Sequence, residues 1–189
     1  EQYFAPDVAD WSRVERLIDC GAFDGDTIEN ALRYCALEEV AAFEPDEANF
    51  RTLARRFKEG EFGNLRGLLS PCGVWSETTT LRFQAGQETG SHVDANGEST
   101  IACTSLDEAL PGFSPHYIKM DIEGAEPQAL HGEREMIPKH RPRIAVCLYH
   151  APQHLWELPL LIESWNLNYS FFLRSHLFNG FESILYAVP

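Results

Sequence analysis

Acidic and titratable residues recur where short apolar runs end. Asp19, Glu44, Asp121 with Glu123, and His150 stand at or just past the runs 16–20, 40–43, 117–120 and 143–148. In an open parallel sheet those ends share one edge, and ligands sit in the crevice outside it. Packing alone does not ask for acids there. An imidazole with an ordinary pKa of about 6.5 suits accepting a proton near neutral pH, whereas a carboxylate at about 4 needs burial to match. His150 is therefore the expected base, with Asp121 and Glu123 as the other candidates. The same two carboxylates suit a hard divalent cation such as magnesium or calcium. Alternatively Asp121 holds a cofactor's amino group, and Glu123 and Glu126 favour the start of the next helix. Lys119 shares the strand face of Asp121 and would pair with that acid or touch substrate.

The first run leads into Asp19-Cys20-Gly21-Ala22-Phe23-Asp24-Gly25-Asp26. Glycines here let the backbone approach a ligand at the start of a helix, as in dinucleotide-binding folds, but the G-x-G-x-x-G spacing is absent. Asp24 and Asp26 would set negative charge beside a pyrophosphate, so a cationic or zwitterionic ligand is expected instead. S-adenosylmethionine has that character and no phosphate. Glu44 lies 23 residues past Gly21, the place from which a carboxylate accepts both ribose hydroxyls of a nucleoside. Ser70-Pro71-Cys72-Gly73 closes a third run on the same edge.

Those residues need a scaffold of alternating strands and helices. Strands are expected at 16–20, 40–43, 65–69, 78–83, 117–120 and 143–148, and helices at 27–37, 47–57, 106–110, 124–131 and 155–165. Asp26 and Glu29 have the spacing of a capping box. Residues 85–100 read as a polar loop in which Ser91 and His92 belong to a closing lid. At the end, 169–174 and 183–188 read as a hairpin around Asn179-Gly180, a pair that favours tight reversal. One domain spanning 1–189 is expected.

The chain has 29 Asp plus Glu against 15 Lys plus Arg, a net charge of −14. Such an excess repels phosphate backbones and anionic lipids, so no nucleic-acid partner is expected. The densest basic run, Arg51, Arg55, Arg56 and Lys58, reads as a solvated helix face. No stretch is apolar enough to insert into a membrane. The five cysteines, Cys20, Cys35, Cys72, Cys103 and Cys147, include no Cys-x-x-Cys pair and read as free thiols. A reducing, cytoplasmic setting is expected. The chain starts at Glu1, consistent with an excised domain or a processed product.

Three blocks resemble the signature of the FkbM family of S-adenosylmethionine-dependent methyltransferases: Ile18-Asp19-Cys20-Gly21-Ala22-Phe23-Asp24-Gly25, Phe43-Glu44-Pro45-Asp46-Glu47-Ala48-Asn49-Phe50, and Tyr117-Ile118-Lys119-Met120-Asp121-Ile122-Glu123-Gly124-Ala125-Glu126. The resemblance runs from about residue 17 to residue 150. It implies a class I methyltransferase (Rossmann-like) α/β fold: a mostly parallel sheet of about seven strands, a C-terminal antiparallel hairpin, and helices on both faces. It implies a cofactor site of Asp19, Gly21, Ala22, Phe23, Asp24, Gly25, Glu44, Pro45, Cys72, Gly73 and Asp121. The reaction implied is O-methylation of a hydroxyl on a sugar, a glycan or another small natural product. Cys20 stands where the family more often has a β-branched or small residue, and Leu148-Tyr149 supplies no acid just before His150. A nicotinamide-dependent oxidoreductase and a non-catalytic nucleoside-binding module are the competing readings.

Overall fold

Parallel strands bury both faces, so they need cover on both sides. The computed structural model, which describes residues 2–84, 92–93 and 96–189, is built that way. Its elements run β1 (Arg16–Cys20), α1 (Asp26–Tyr34), β2 (Glu39–Phe43), α2 (Glu47–Lys58), β3 (Arg66–Ser70), β4 (Gly73–Val74), β5 (Thr79–Gln84), β6 (His92–Val93), β7 (Ser99–Thr104), α3 (Leu106–Ala109), β8 (Tyr117–Met120), α4 (Glu126–His131), α5 (Met136–His140), β9 (Arg143–Cys147), α6 (His154–Ser164), β10 (Ser170–Ser175) and β11 (Ser183–Val188). Seven strands form the main sheet in the order β10-β11-β9-β8-β1-β2-β3. The β8-β9, β1-β8, β1-β2 and β2-β3 pairs are parallel, and β11 enters antiparallel between β9 and β10. The fold is therefore the mixed α/β class expected, with its strand order reversing beside β1.

Alternation along each strand divides the core. Leu17, Val40, Tyr117 and Ala145 face one side, where Ile28 and Ala31 of α1, Leu53 of α2 and the N-terminal Phe4, Trp11 and Val14 cover them. Ile18, Ala41, Ile118 and Ile144 face the other, under Leu106, Leu130, Ile137, Leu158 and Ile162. The N-terminal segment covers its part of the sheet without a helix: Phe4 stacks on Tyr34 and meets Trp11 edge-on, and the Trp11 indole donates to the Ala5 carbonyl at 2.8 Å.

Several local expectations are corrected. Helix α1 is capped by Gly25 at φ 93 with no side-chain bond, so Asp26 and Glu29 form no capping box; Asp26 is already the first helical residue. The C-terminal hairpin is not a tight reversal, because Ser175 pairs with Ser183 and a 3-10 turn, Phe178–Gly180, lies in the connection. Part of the expected polar loop is strand. A second sheet, ordered β4-β7-β5-β6, buries Phe83, Ile101 and Cys103. Residues 85–91, 94 and 95, Ser91 among them, lie outside the described residues. Strands β4 and β7 and helix α5 were not anticipated; α5 is a five-residue turn containing Pro138, too short for a periodic signal. Among the described residues no helix is long and apolar enough to cross a membrane.

Candidate active site

The turn after β1 is fastened to β2 by backbone and side chain together. The amides of Gly21 and Ala22 both donate to the Phe43 carbonyl at 3.0 Å. Phe23, at φ 48, donates its amide to Glu44 Oε2, and Asp46 donates its own to Oε1, each at 2.8 Å. Glu44 is only 6% exposed. Burial pushes its carboxyl up to about 7, although the two amides favour the charged form.

The glycines of this turn are required by packing as well. A Cβ on Gly21 would lie 1.9 Å from the Asp121 carbonyl oxygen, and one on Gly25 would lie 2.7 Å from the Phe62 ring. Gly21 lets the ends of β1 and β8 approach, while Gly25 lets the helix start against Phe62. The charge expected beside a pyrophosphate is also partly answered. Arg56 lies 3.7 Å from Asp24 Oδ1, donates to the Asp24 carbonyl, and pairs with Glu29 and Glu61. The expected solvated helix face holds for Arg51 and Arg55, which pair with Glu47 and Glu59, but Arg56 is largely enclosed.

Gly21, Pro45, Cys72 and Gly73 line one cleft, roofed by Phe83, His92 and Ile101 of the second sheet and floored in part by Ile122. Four of the expected cofactor residues thus converge on a cleft that the second sheet also lines. Ala22 is buried in the core, and Phe23 is half exposed.

Asp19 does not reach the crevice. It is fully buried opposite Lys119 in the β1-β8 register, with Nζ 3.0 Å from its carboxylate. Burial raises the Asp19 carboxyl to about 6, with Lys119 opposing that rise. Lys119 also donates to the Gly21 carbonyl at 2.6 Å, so the pair supports the glycine turn from beneath. Lys119 pairs with Asp19, not directly with Asp121.

Asp121, Glu123 and His150 do come together. His150 Nε2 lies 3.2 Å from Asp121 Oδ1 and 3.6 Å from Glu123 Oε2, while Nδ1 lies 2.8 Å from Glu126 Oε1. Burial lowers the His150 pKa, but Asp121 and Glu126 outweigh it and hold the ring protonated up to about 10. Against the expectation of a histidine with an ordinary pKa, carboxylates this close to both ring nitrogens favour the protonated ring. Burial would raise the Asp121 carboxyl, yet His150, Lys119 and Tyr3 keep it well below the usual range. Glu123 is the most exposed member of the cluster, and its carboxyl is raised, first by partial desolvation. Its φ of 55 is a conformation that non-glycine residues seldom adopt, and such strain clusters at functional sites. Asp121, Glu126 and His150 offer ligand atoms within 4.8 Å of one another, close enough to share a metal ion, whereas Glu123, the expected partner of Asp121 in such a site, is not one of the three.

Three contacts were missed in the sequence. Tyr3 donates its hydroxyl to Asp121 Oδ2 at 2.8 Å, and Tyr149 donates to Oδ1 at 3.0 Å. Glu126, expected only as a helix-start acid, does accept the Ile122 amide there but also backs His150 and lies 3.5 Å from His154. Nothing periodic links Tyr3 to a residue 118 positions later.

The profile of the methyltransferase FkbM domain matches residues 19–175. The chain belongs to the FkbM methyltransferase family. A crystal structure of methyltransferase FkbM from Methylobacillus flagellatus KT superposes on this FkbM-family chain with a TM-score of 0.79 and 29% identity, covering 98% of this chain and 46% of that one. The chain thus spans about half the length of that relative. At the level of fold alone, precorrin-6y C5,15-methyltransferase from Geobacter metallireducens GS-15 matches at TM-score 0.56 and 11% identity, over 95% and 82% of the two chains. Aeropyrum pernix fibrillarin, in complex with natively bound S-adenosyl-L-methionine, matches at 0.57 and 10%, over 98% and 71%. Among curated proteins none matches the chain in sequence.

Proposed function

We propose that this FkbM-family chain is an S-adenosylmethionine-dependent O-methyltransferase acting on a hydroxyl of a sugar, glycan or other small natural product. The observation that carries the reading is the carboxylate-histidine cluster beside the cleft: Asp121, Glu123 and Glu126 surround His150 next to Gly21. The cleft encloses only about 30 Å³ and must widen to take an adenine; its support for the cofactor is chemical, since the buried carboxylate of Glu44 stands in sequence between the lining residues Phe43 and Pro45 and the walls are largely apolar. Glu44 would accept ribose hydroxyls, with Pro45, Cys72 and Gly73 against the base. When bound, the cofactor supplies a methyl carbon already activated by its sulfonium. The neighbouring acids favour that positive charge.

The chain's own task is to align the acceptor oxygen and receive its proton. Glu123 is the group suited to receive it, because it is the cluster's most accessible carboxylate, 3.6 Å from His150, and its carboxyl is raised above the ordinary value. His150, cationic at rest, steadies the carboxylates on either side, and Asp121, fixed by Tyr3 and Tyr149, keeps one edge of the ring in place. A divalent metal would take these same oxygens in competition with the imidazolium. Membership of a methyltransferase family displaces the nicotinamide reading.

Calorimetry with S-adenosylhomocysteine and with a dinucleotide tests the proposal. Binding of the first and not the second is expected, weakened at least tenfold in Glu44→Ala. Glu123→Gln should keep that binding and lose methyl transfer to a panel of hydroxylated sugars read by mass. Binding unchanged in Glu44→Ala, or activity strictly dependent on added magnesium, would replace this scheme.

A further inference from the structure

Beyond the cluster, the end of β9 opens into a groove of about 290 Å³ whose walls include Leu148, Tyr149, Pro152, Leu155, Phe181 and Ser183. It lies between the start of α6 and the β10–β11 connection. Leu155 is 51% exposed and Phe181 62% exposed, two large apolar side chains left open to water in one groove. The polar groups in these walls have already spent their protons: Ser183 donates to the Gly180 carbonyl at 2.7 Å and Tyr149 donates to Asp121. The groove therefore presents mainly carbon. Tyr149 is the shared wall, since its hydroxyl sits on Asp121 and its ring centroid lies 4.2 Å from that of His150.

We infer that this groove is an acceptor subsite, holding an alkyl or aromatic portion of the methyl acceptor while its hydroxyl reaches the Asp121, Glu123 and His150 cluster. The inference rests on the proposed methyltransferase reading and narrows its substrate class to amphipathic hydroxyl compounds. Continuity with the cluster through Tyr149 argues for a substrate group as the occupant. The volume stands at the lower end of small-molecule pockets, which begin at about 300 Å³. A bare sugar would leave these carbon walls in water, whereas each methylene buried against them strengthens binding about fourfold.

The test compares n-octyl β-D-glucoside, kept below its micellar concentration, with methyl β-D-glucoside on the protein saturated with S-adenosylhomocysteine, by ligand-observed NMR titration. The octyl compound should bind at least tenfold more tightly. Leu155→Ser and Phe181→Ser, both exposed positions, should each cut that preference at least threefold and leave S-adenosylhomocysteine binding unchanged. Equal affinity for the two glucosides overturns the inference, as does a preference that survives both substitutions. A dimer that either substitution dissolves assigns the groove to a second copy and overturns it too. Failure of the wild type to bind S-adenosylhomocysteine strikes the methyltransferase reading instead, because the glucoside comparison can also be made without it.

Discussion

Replacing Lys119 by Met removes one member of a fully buried ion pair and leaves Asp19 alone in the core. The two side chains lie 3.0 Å apart, at 3% and 0% exposure. Breaking such a pair from one side costs about 3–5 kcal/mol, because the surviving charge has neither water nor partner. For a domain of this size each kcal/mol lowers Tm by about 2–4 °C, so a fall on the order of 10 °C is expected. The loss must also depend on pH. Burial already raises the Asp19 carboxyl to about 6, above its ordinary 3.8, and Lys119 opposes the rise; without the lysine it goes higher. An acid whose folded pKa exceeds its unfolded one loses stability as pH rises between the two values. Wild type and variant lose stability alike between pH 4 and 6, so the cost of Lys119→Met should stay near its low-pH value up to about pH 6 and then grow by up to about 1.4 kcal/mol per unit toward pH 8. Urea denaturation at pH 4.5, 6 and 8 measures it, with the double variant Asp19→Asn, Lys119→Met recovering most of the loss at pH 8. Since Lys119 also holds the Gly21 carbonyl, S-adenosylhomocysteine binding should weaken in parallel. A cost under about 1 kcal/mol at pH 8, or strict additivity of the two substitutions, refutes the reasoning.

Glu133 is fully buried with both carboxylate oxygens unpartnered among the described residues, and burial raises its carboxyl well above the ordinary value; Glu133→Gln should raise Tm, more at pH 8 than at pH 5. Gly25→Ala combines φ 93 with a Cβ 2.7 Å from Phe62 and should cost about 1–3 kcal/mol by denaturant unfolding; a neutral result would mean that α1 starts elsewhere. Tyr3→Phe removes one of the two phenols on Asp121 and should cost about 1 kcal/mol of stability, while raising the Asp121 pKa in carboxyl-carbon NMR. His150 should show an imidazolium ring by nitrogen NMR at pH 8, and Glu126→Gln should lower its pKa measurably, since one of the two carboxylates flanking the ring loses its charge; a neutral ring at pH 8 in the wild type contradicts the electrostatic account of the cluster.

The central strands were legible in the residue order. Runs such as 117–120 and 143–148 are apolar apart from Lys119 and Arg143 because both of their faces are covered, and their ends point to the edge where Glu44, Asp121 and His150 stand. Order and residue type also sufficed for the family, through three blocks whose spacing follows from the strand-turn-helix units that carry them. What the sequence could not determine depends on which distant segments meet. The Gly21 and Gly25 positions read as ligand-approach glycines, and only the fold shows that Asp121 and Phe62 also fill the space where a Cβ would go. Asp19 reads as a ligand residue by position, yet the β1-β8 register sets it against Lys119 and seals it from the crevice. His150 reads as a neutral base because its pKa is fixed by neighbours and not by its type, and only folding brings Glu126 within 2.8 Å of one nitrogen and Asp121 within 3.2 Å of the other. Tyr3 carries no local signal at all, because its partner lies across the sheet on an element formed more than a hundred residues later. Residue types and their order set the elements and the family; tertiary contact set the charge states, since those follow from burial and from partners that only the closed sheet brings together.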